Sequence, residues 1–229
     1  MGLSPRDLFA QLDPEDQEAV VRLYQSQGHS LSTLENAWRG WKARPEQLAP
    51  PGDWTWWYLE AGRGFGKTTT AARFYHERVE LSRHGRGGLL HRTSADLRDI
   101  MVEGPDGLLA TAPKGKLPRY EPTKRRVTFY NGFTATCFSA EEPDMLRGPT
   151  LQLMWIDEFA THRGITGVDG LTAFDNARFA LRGRVRNDRP RGIMTTTPKR
   201  VKAVKDMHKE IASGSTDIVM TKGSLLDNM

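Results

Sequence analysis

Cysteine is almost missing from this chain of 229 residues. Cys137 stands alone, so no intrachain disulfide can form and a cysteine-based zinc site is excluded. No apolar run approaches the ~20 residues a membrane helix needs, and no membrane partner is expected. No internal period of ~20–50 residues, the mark of a solenoid or propeller, is present. The amino terminus, Met1-Gly2-Leu3-Ser4-Pro5-Arg6-Asp7, turns polar and acidic at once, unlike a secretory signal. No helix-turn-helix or zinc finger is legible, so any contact with nucleic acid is expected to be independent of sequence. What is present is 38% hydrophobic and 27% charged residues, a globular composition with enough length to bury a core. The 33 basic residues exceed the 28 acidic ones, a net +5 that favours an anionic partner without naming it.

The first fifty residues read as helical. Asp13-Pro14-Glu15 supplies a cap, a proline at the first position and an acid in the first turn. A second helix is expected over Leu31 to Arg44, with Leu34, Trp38 and Trp41, before Pro50-Pro51-Gly52 breaks the chain. Beyond Trp54, strands alternate with helices. Strands are expected at Trp56–Glu60, Gly88–Thr93, Leu151–Ile156 and Ile193–Thr197, and a helix at Phe174–Leu181. Asn131-Gly132 between two apolar runs predicts a β-hairpin with a type I′ turn. This order implies a mainly parallel sheet covered by helices on both faces.

The segment Ala61-Gly62-Arg63-Gly64-Phe65-Gly66-Lys67-Thr68 matches the phosphate-loop pattern G-x-x-x-x-G-K-[ST] apart from Ala61. Glycines let backbone N–H groups converge on phosphate oxygens, and the following helix adds its positive end. Lys67 can reach the outer phosphates, the Thr68 hydroxyl can ligate Mg²⁺, and Thr69 stands beside them. Asp157-Glu158 closes the apolar run Leu151–Ile156. There Asp157 is placed to hold Mg²⁺ and Glu158 to polarise the attacking water as general base. A glutamate after that aspartate points to ATPases with an extra central strand. Thr195-Thr196-Thr197 can place hydroxyls near the γ-phosphate, though threonine also favours strands generally. Arg63 can reach the γ-phosphate of its own nucleotide. Arg147, in a Gly-Pro turn before the acidic pair, reads either as a surface salt bridge or as an arginine finger. Residues 178–209 carry eleven Arg and Lys against Asp188 and Asp206. Arg184, Arg186, Lys199, Arg200 and Lys202 are candidates for a DNA backbone, with Lys124-Arg125-Arg126 as a second cluster.

Taken together these motifs resemble the ATPase half of a bacteriophage large terminase. Trp38 to Gln47, Ala61 to Thr68, Glu142 to Pro149, Trp155 to Ala160 and Thr195 to Lys199 carry the resemblance, which spans about Leu31 to Asn228. It implies a P-loop NTPase of the ASCE (RecA-like) type, with a helical segment at 1–50, an ATPase core at 51–200 and a basic lid or linker at 201–229. It implies ATP and Mg²⁺ as cofactors, Arg44 and Gln47 beside the adenine, and the whole loop Ala61, Gly62, Arg63, Gly64, Phe65, Gly66, Lys67, Thr68 and Thr69 around the phosphates. By the same resemblance Arg63 acts in cis, Arg147 is donated in trans, and Thr195, Thr196 and Thr197 couple hydrolysis to movement. The implied partners are double-stranded DNA, a portal protein, a small terminase and further copies in a ring, a pentamer on the portal. The implied location is the host cytoplasm and, transiently, the prohead. Relatives continue into a nuclease, expected to begin where this chain stops, so no nuclease activity is expected here. Two other readings stand beside the motor. One is a helicase-like DNA-dependent ATPase, which needs a second RecA-like domain. The other is a nucleotide-gated docking module without turnover of its own.

Overall fold

The computed structural model describes residues 5–27, 42–162, 164–185 and 188–223. It divides into two units, Met1–Ala49 and Pro50–Met229. The first contains α1 (Pro5–Ala10), α2 (Pro14–Ser26) and a single helical turn at Pro45–Gln47. Asp13 caps α2 by accepting from the backbone N–H groups of Glu15 and Asp16 at 3.1 and 3.0 Å, as its sequence predicts. The helix expected over Leu31 to Arg44, with Leu34, Trp38 and Trp41, lies almost wholly outside the described residues.

The second unit is built on an eight-stranded sheet. Its strands are β1 (Trp56–Ala61), β2 (Arg86–His91), β3 (Arg119–Glu121), β4 (Arg126–Thr128), β5 (Thr134–Ser139), β6 (Leu153–Ile156), β7 (Arg191–Thr196) and β8 (Ile218–Gly223). They lie in the order β3-β4-β5-β2-β6-β7-β1-β8. The β3–β4 and β4–β5 pairings are antiparallel and the others parallel. β7 lies between the strand that enters the phosphate loop and the strand that ends in the acidic pair. That is the extra central strand the acid pair implies.

Every residue of β1 is buried, because helices cover both faces. Alternate residues point to opposite sides. Trp57 packs edge-on against Phe74 of α3 (Lys67–Glu80). Trp56 and Tyr58 face the other layer, where Trp56 meets Phe174 of α5 (Ala173–Ala180) and Tyr58 meets His208 of α6 (Lys202–Ala212). Between them in sequence, α4 (Ser94–Asp96) runs into a π-helical turn, Leu97–Val102.

Two expectations change. The hairpin at Asn131-Gly132 forms, but not through a type I′ turn. Only Gly132 has a positive φ, +82°, and Gly132 N–H reaches back to Phe129 O at 3.0 Å. This is a three-residue loop, a type I turn closed by a left-handed glycine. The Asn131 side chain explains the choice, since its amide donates to Val79 O at 2.8 Å and thereby ties the turn to the end of α3. Residues 202–223, expected as a lid or linker, instead form α6 and β8. β8 pairs along the whole of β1, from Trp56↔Ile218 to Ala61↔Gly223.

Candidate functional site

The parallel strands end together, and ligands of open α/β sheets bind beyond such carboxyl ends. β1 leads into Gly62 and the loop, which turns through Gly64 (φ +76°) and Gly66 (φ +85°) before α3 starts at Lys67. Both angles favour glycine. Ala61, by contrast, is still extended and fully buried, so a methyl group in place of the first glycine obstructs nothing. Phe65 does not face the loop's interior. Its ring is buried against Gly223, where any side chain would collide with it, so only its backbone can serve a phosphate.

Lys67 Nζ donates to Ala61 O and Gly62 O, both at 3.0 Å, and closes the loop on itself. Burial lowers its pKa, while the facing Glu158 and Asp157 carboxylates act to raise it. The acids follow β6 directly. Asp157 is buried, and desolvation pushes its pKa up even though it accepts a hydrogen bond from Thr195 and faces His91. Glu158 adopts a left-handed backbone, φ +45°. Its Oε1 accepts from the Thr197 hydroxyl at 2.6 Å, while Oε2 is buried and has no partner among the described residues. Thr196 Oγ1 accepts from Ala160 N–H at 3.1 Å. Thr195, Thr196 and Thr197 thus grip the segment that carries both acids, with one hydroxyl on each carboxylate and one on the backbone beyond. Arg63, Lys67, Thr68, Asp157 and Glu158 line one open cleft of about 460 Å³.

These features match a known family. Residues 58–216 fit the family described as terminase large subunit, T4likevirus-type, N-terminal. The chain belongs to that family. Among solved structures, the large terminase of a thermophilic bacteriophage is 15% identical with a TM-score of 0.59, over 83% of this chain and 44% of that one. The ATPase domain of the Thermus phage P74-26 large terminase is 16% identical with a TM-score of 0.58, over 85% of each chain. The HK97 bacteriophage large terminase is 17% identical with a TM-score of 0.55, over 79% of this chain and 40% of that one. At such identities the likeness is one of fold. The chain spans less than half the length of the first and third of these proteins. The first was also solved with ATP-gamma-S and with ADP. No curated protein matches the sequence.

Within the second unit, the described candidates outside the loop, the acids and the threonines do not line the cleft. Arg147 is half-exposed and is held within its own chain, 3.3 Å from Asp169 and 3.6 Å from Asp144. It does not line the cleft. Arg44 and Gln47 belong to the first unit, where Gln47 Oε1 accepts from Arg44 N–H at 3.1 Å. The basic third is not one patch. Arg184 sits at the amino edge of the sheet, its carbonyl accepting from Gln152, whereas Lys199, Arg200 and Lys202 follow the carboxyl end of β7. Six residues of β7 separate the two groups by about 20 Å at ~3.3 Å per residue. Arg186 lies outside the described residues. Several of the other charges are paired, Arg178 with Glu210, Arg189 with Asp217 and Arg191 with Asp188, while the solvent-exposed Lys202 meets Asp206.

Residues that the motifs do not mark stand beside the acidic pair and along the cleft. His91, ending β2, is buried with its ring nitrogens 3.7 Å from Asp96 and 3.8 Å from Asp157. Ile100 and Asp106 line the cleft from the segment after β2. A polar residue closing a buried strand could have drawn attention to His91. Asp106 carries no local signal, because its contact spans 37 residues.

Proposed function

We propose that this chain is the ATPase motor domain of a phage large terminase, hydrolysing ATP to drive double-stranded DNA into a prohead. The arrangement of Lys67, Asp157 and Glu158 in one cleft, with each carboxylate held by a threonine of the intervening strand or its end, carries this reading. The loop's N–H groups and Lys67 would bind the phosphates, with Lys67 leaving the carbonyls it now closes upon. Mg²⁺ fits the residues present: a buried Asp157 carboxylate is costly without a cation beside it, and Mg²⁺ uses few carboxylates plus substrate phosphates. Thr68 and Asp157 would hold it, and when bound it neutralises charge on the phosphate oxygens. Glu158 would take the proton of the attacking water through Oε2, the oxygen that Thr197 leaves open.

Arg63 lies in the loop and would stabilise transition-state charge in cis. Arg147 would act from a neighbouring copy in a ring, a pentamer on the portal, with small terminase as a further partner. For that role it would have to leave Asp144 and Asp169, with which it pairs within its own chain. Lys199, Arg200 and Lys202 would meet the DNA backbone, in the host cytoplasm and then at the prohead. The test is steady-state ATP hydrolysis against protein concentration, with DNA and proheads. Turnover per subunit should rise with assembly. Arg147→Ala mixed with Glu158→Gln should recover part of the activity that each lacks alone. Absence of turnover under every condition would leave only a docking role.

A further inference from the structure

The segment after β2 rides along α3 at two points. Toward the end of α3, His76 Nε2 meets Leu108 O at 2.9 Å. At the start of α3, the Thr69 hydroxyl donates to Asp106 Oδ1 at 2.7 Å. Thr69 and Asp106 both line the cleft, alongside Lys67 and Thr68. A carboxylate therefore stands beside the first turn of α3. There the helix dipole and free N–H groups favour an anion, and a nucleotide's phosphates need the same turn. Asp106 is carried on Gly104-Pro105-Asp106-Gly107, just past the π-helical turn Leu97–Val102, a rare geometry that tends to occur at functional sites.

We propose that Asp106 is a residue of the nucleotide site that sets affinity by opposing the phosphates: it holds the Thr69 hydroxyl and must yield it when nucleotide binds. This rests on the nucleotide-binding reading of the cleft. Like charges a few ångströms apart at a wet surface repel modestly, so the effect on affinity is about five-fold, not orders of magnitude. The penalty favours release of the spent nucleotide.

The experiment is calorimetric titration of ADP into the intact chain and into Asp106→Asn, each in EDTA and in excess Mg²⁺. Asp106→Asn keeps a hydrogen-bond acceptor for Thr69 and removes only the charge. It should tighten ADP binding about five-fold in EDTA and less in Mg²⁺, because the cation screens the phosphates. Thr69→Val alone should weaken binding in both buffers. Unchanged affinity for a folded Asp106→Asn would overturn the proposal. So would weaker binding confined to Mg²⁺, which would make Asp106 a partner of the ion's water shell. Lys67→Ala is the control: if the intact folded chain and Lys67→Ala both fail to bind ADP, the nucleotide-site reading itself falls, independently of Asp106.

Discussion

The two edges of the sheet treat charge in opposite ways. At the amino edge, Arg78 meets Asp188 at 2.6 Å, Arg191 meets the same carboxylate at 3.1 Å, and Arg189 meets Asp217 at 3.0 Å. Arg191 also lies over the Trp54 ring and donates to the Gly52 and Trp54 carbonyls. Opposite charges there cancel within the chain, and their product is a closed edge. At the carboxyl edge the charges are left with work to do. Glu158 Oε2 is buried without a partner among the described residues, Asp157 carries the cost of burial, and Gly64, Gly66 and Glu158 turn through left-handed backbone. Left-handed backbone also occurs at the amino edge, at Gly52 and His84, and Arg191 Nε is buried there without a hydrogen bond, so what sets the carboxyl edge apart is a pair of adjacent carboxylates facing a glycine loop. Arginine density alone would point to the amino edge.

The largest expected effect lies at the carboxyl edge. Glu158→Gln should lower kcat by ~10²–10⁴, because an amide cannot take the water's proton, while ATP affinity stays near that of the parent. Turnover within a few-fold of the parent, in an assembly otherwise active, would assign the base elsewhere.

The matching lesion at the amino edge should change stability and not chemistry. Asp188 is a partly buried carboxylate. Burial alone would raise its pKa, but hydrogen bonds from Arg78 and Arg191 hold it below the usual carboxylate value. A depressed folded-state pKa means that its contribution is present above the ordinary value of ~3.9 and is lost as pH falls through the folded pKa. Asp188→Asn should therefore cost about 2 kcal/mol near neutral pH, with two arginines left short of a partner, and the loss should shrink in acid. Chemical denaturation against pH reads this directly. A reduced kcat per folded molecule would instead tie the two edges together.

Thr197 sharpens the contrast within the carboxyl edge itself. A hydrogen bond to a charged group is worth ~1.5–3 kcal/mol. Thr197→Val should thus lower kcat by about ten-fold at unchanged KM, and Thr197→Ser should restore it. A shift in KM with kcat intact would make the hydroxyl part of nucleotide binding.

How much of this was legible depended on whether a signal was local. The loop Gly62–Gly66, the acids after β6 and the threonines Thr195 to Thr197 each follow from a few adjacent residues, and each sits at a strand's end as expected. What was missed came from contacts distant in the chain. β8 has a strand-like run, Ile218-Val219-Met220-Thr221, but its place as an edge strand along β1 is set by pairing with residues more than 150 positions away. Asn131 rejected the type I′ turn because Val79, 52 residues away, offered its side chain an acceptor. The basic run at 178–209 reads as one patch in sequence, yet β7 passes through its middle.

That last point gives the smallest expected effect and the narrowest test. If the DNA backbone meets the carboxyl edge, the paired substitution Lys199→Ala, Arg200→Ala should reduce the slope of log affinity against log salt by about 2, at ~0.9 for each phosphate no longer neutralised. Arg184→Ala, about 20 Å away across β7, should leave the slope unchanged. Lys202 falls between them. It is paired to Asp206 at 2.8 Å but lies in solvent, so the pair is easily opened and Lys202→Ala should remove only a fraction of one phosphate's share. The measurement is filter binding of a random-sequence duplex across a range of salt. A slope that falls for Arg184→Ala and holds for the pair would move the DNA to the amino edge. The neutralised arginines there would then be a platform for the duplex and not merely a closed end of the sheet.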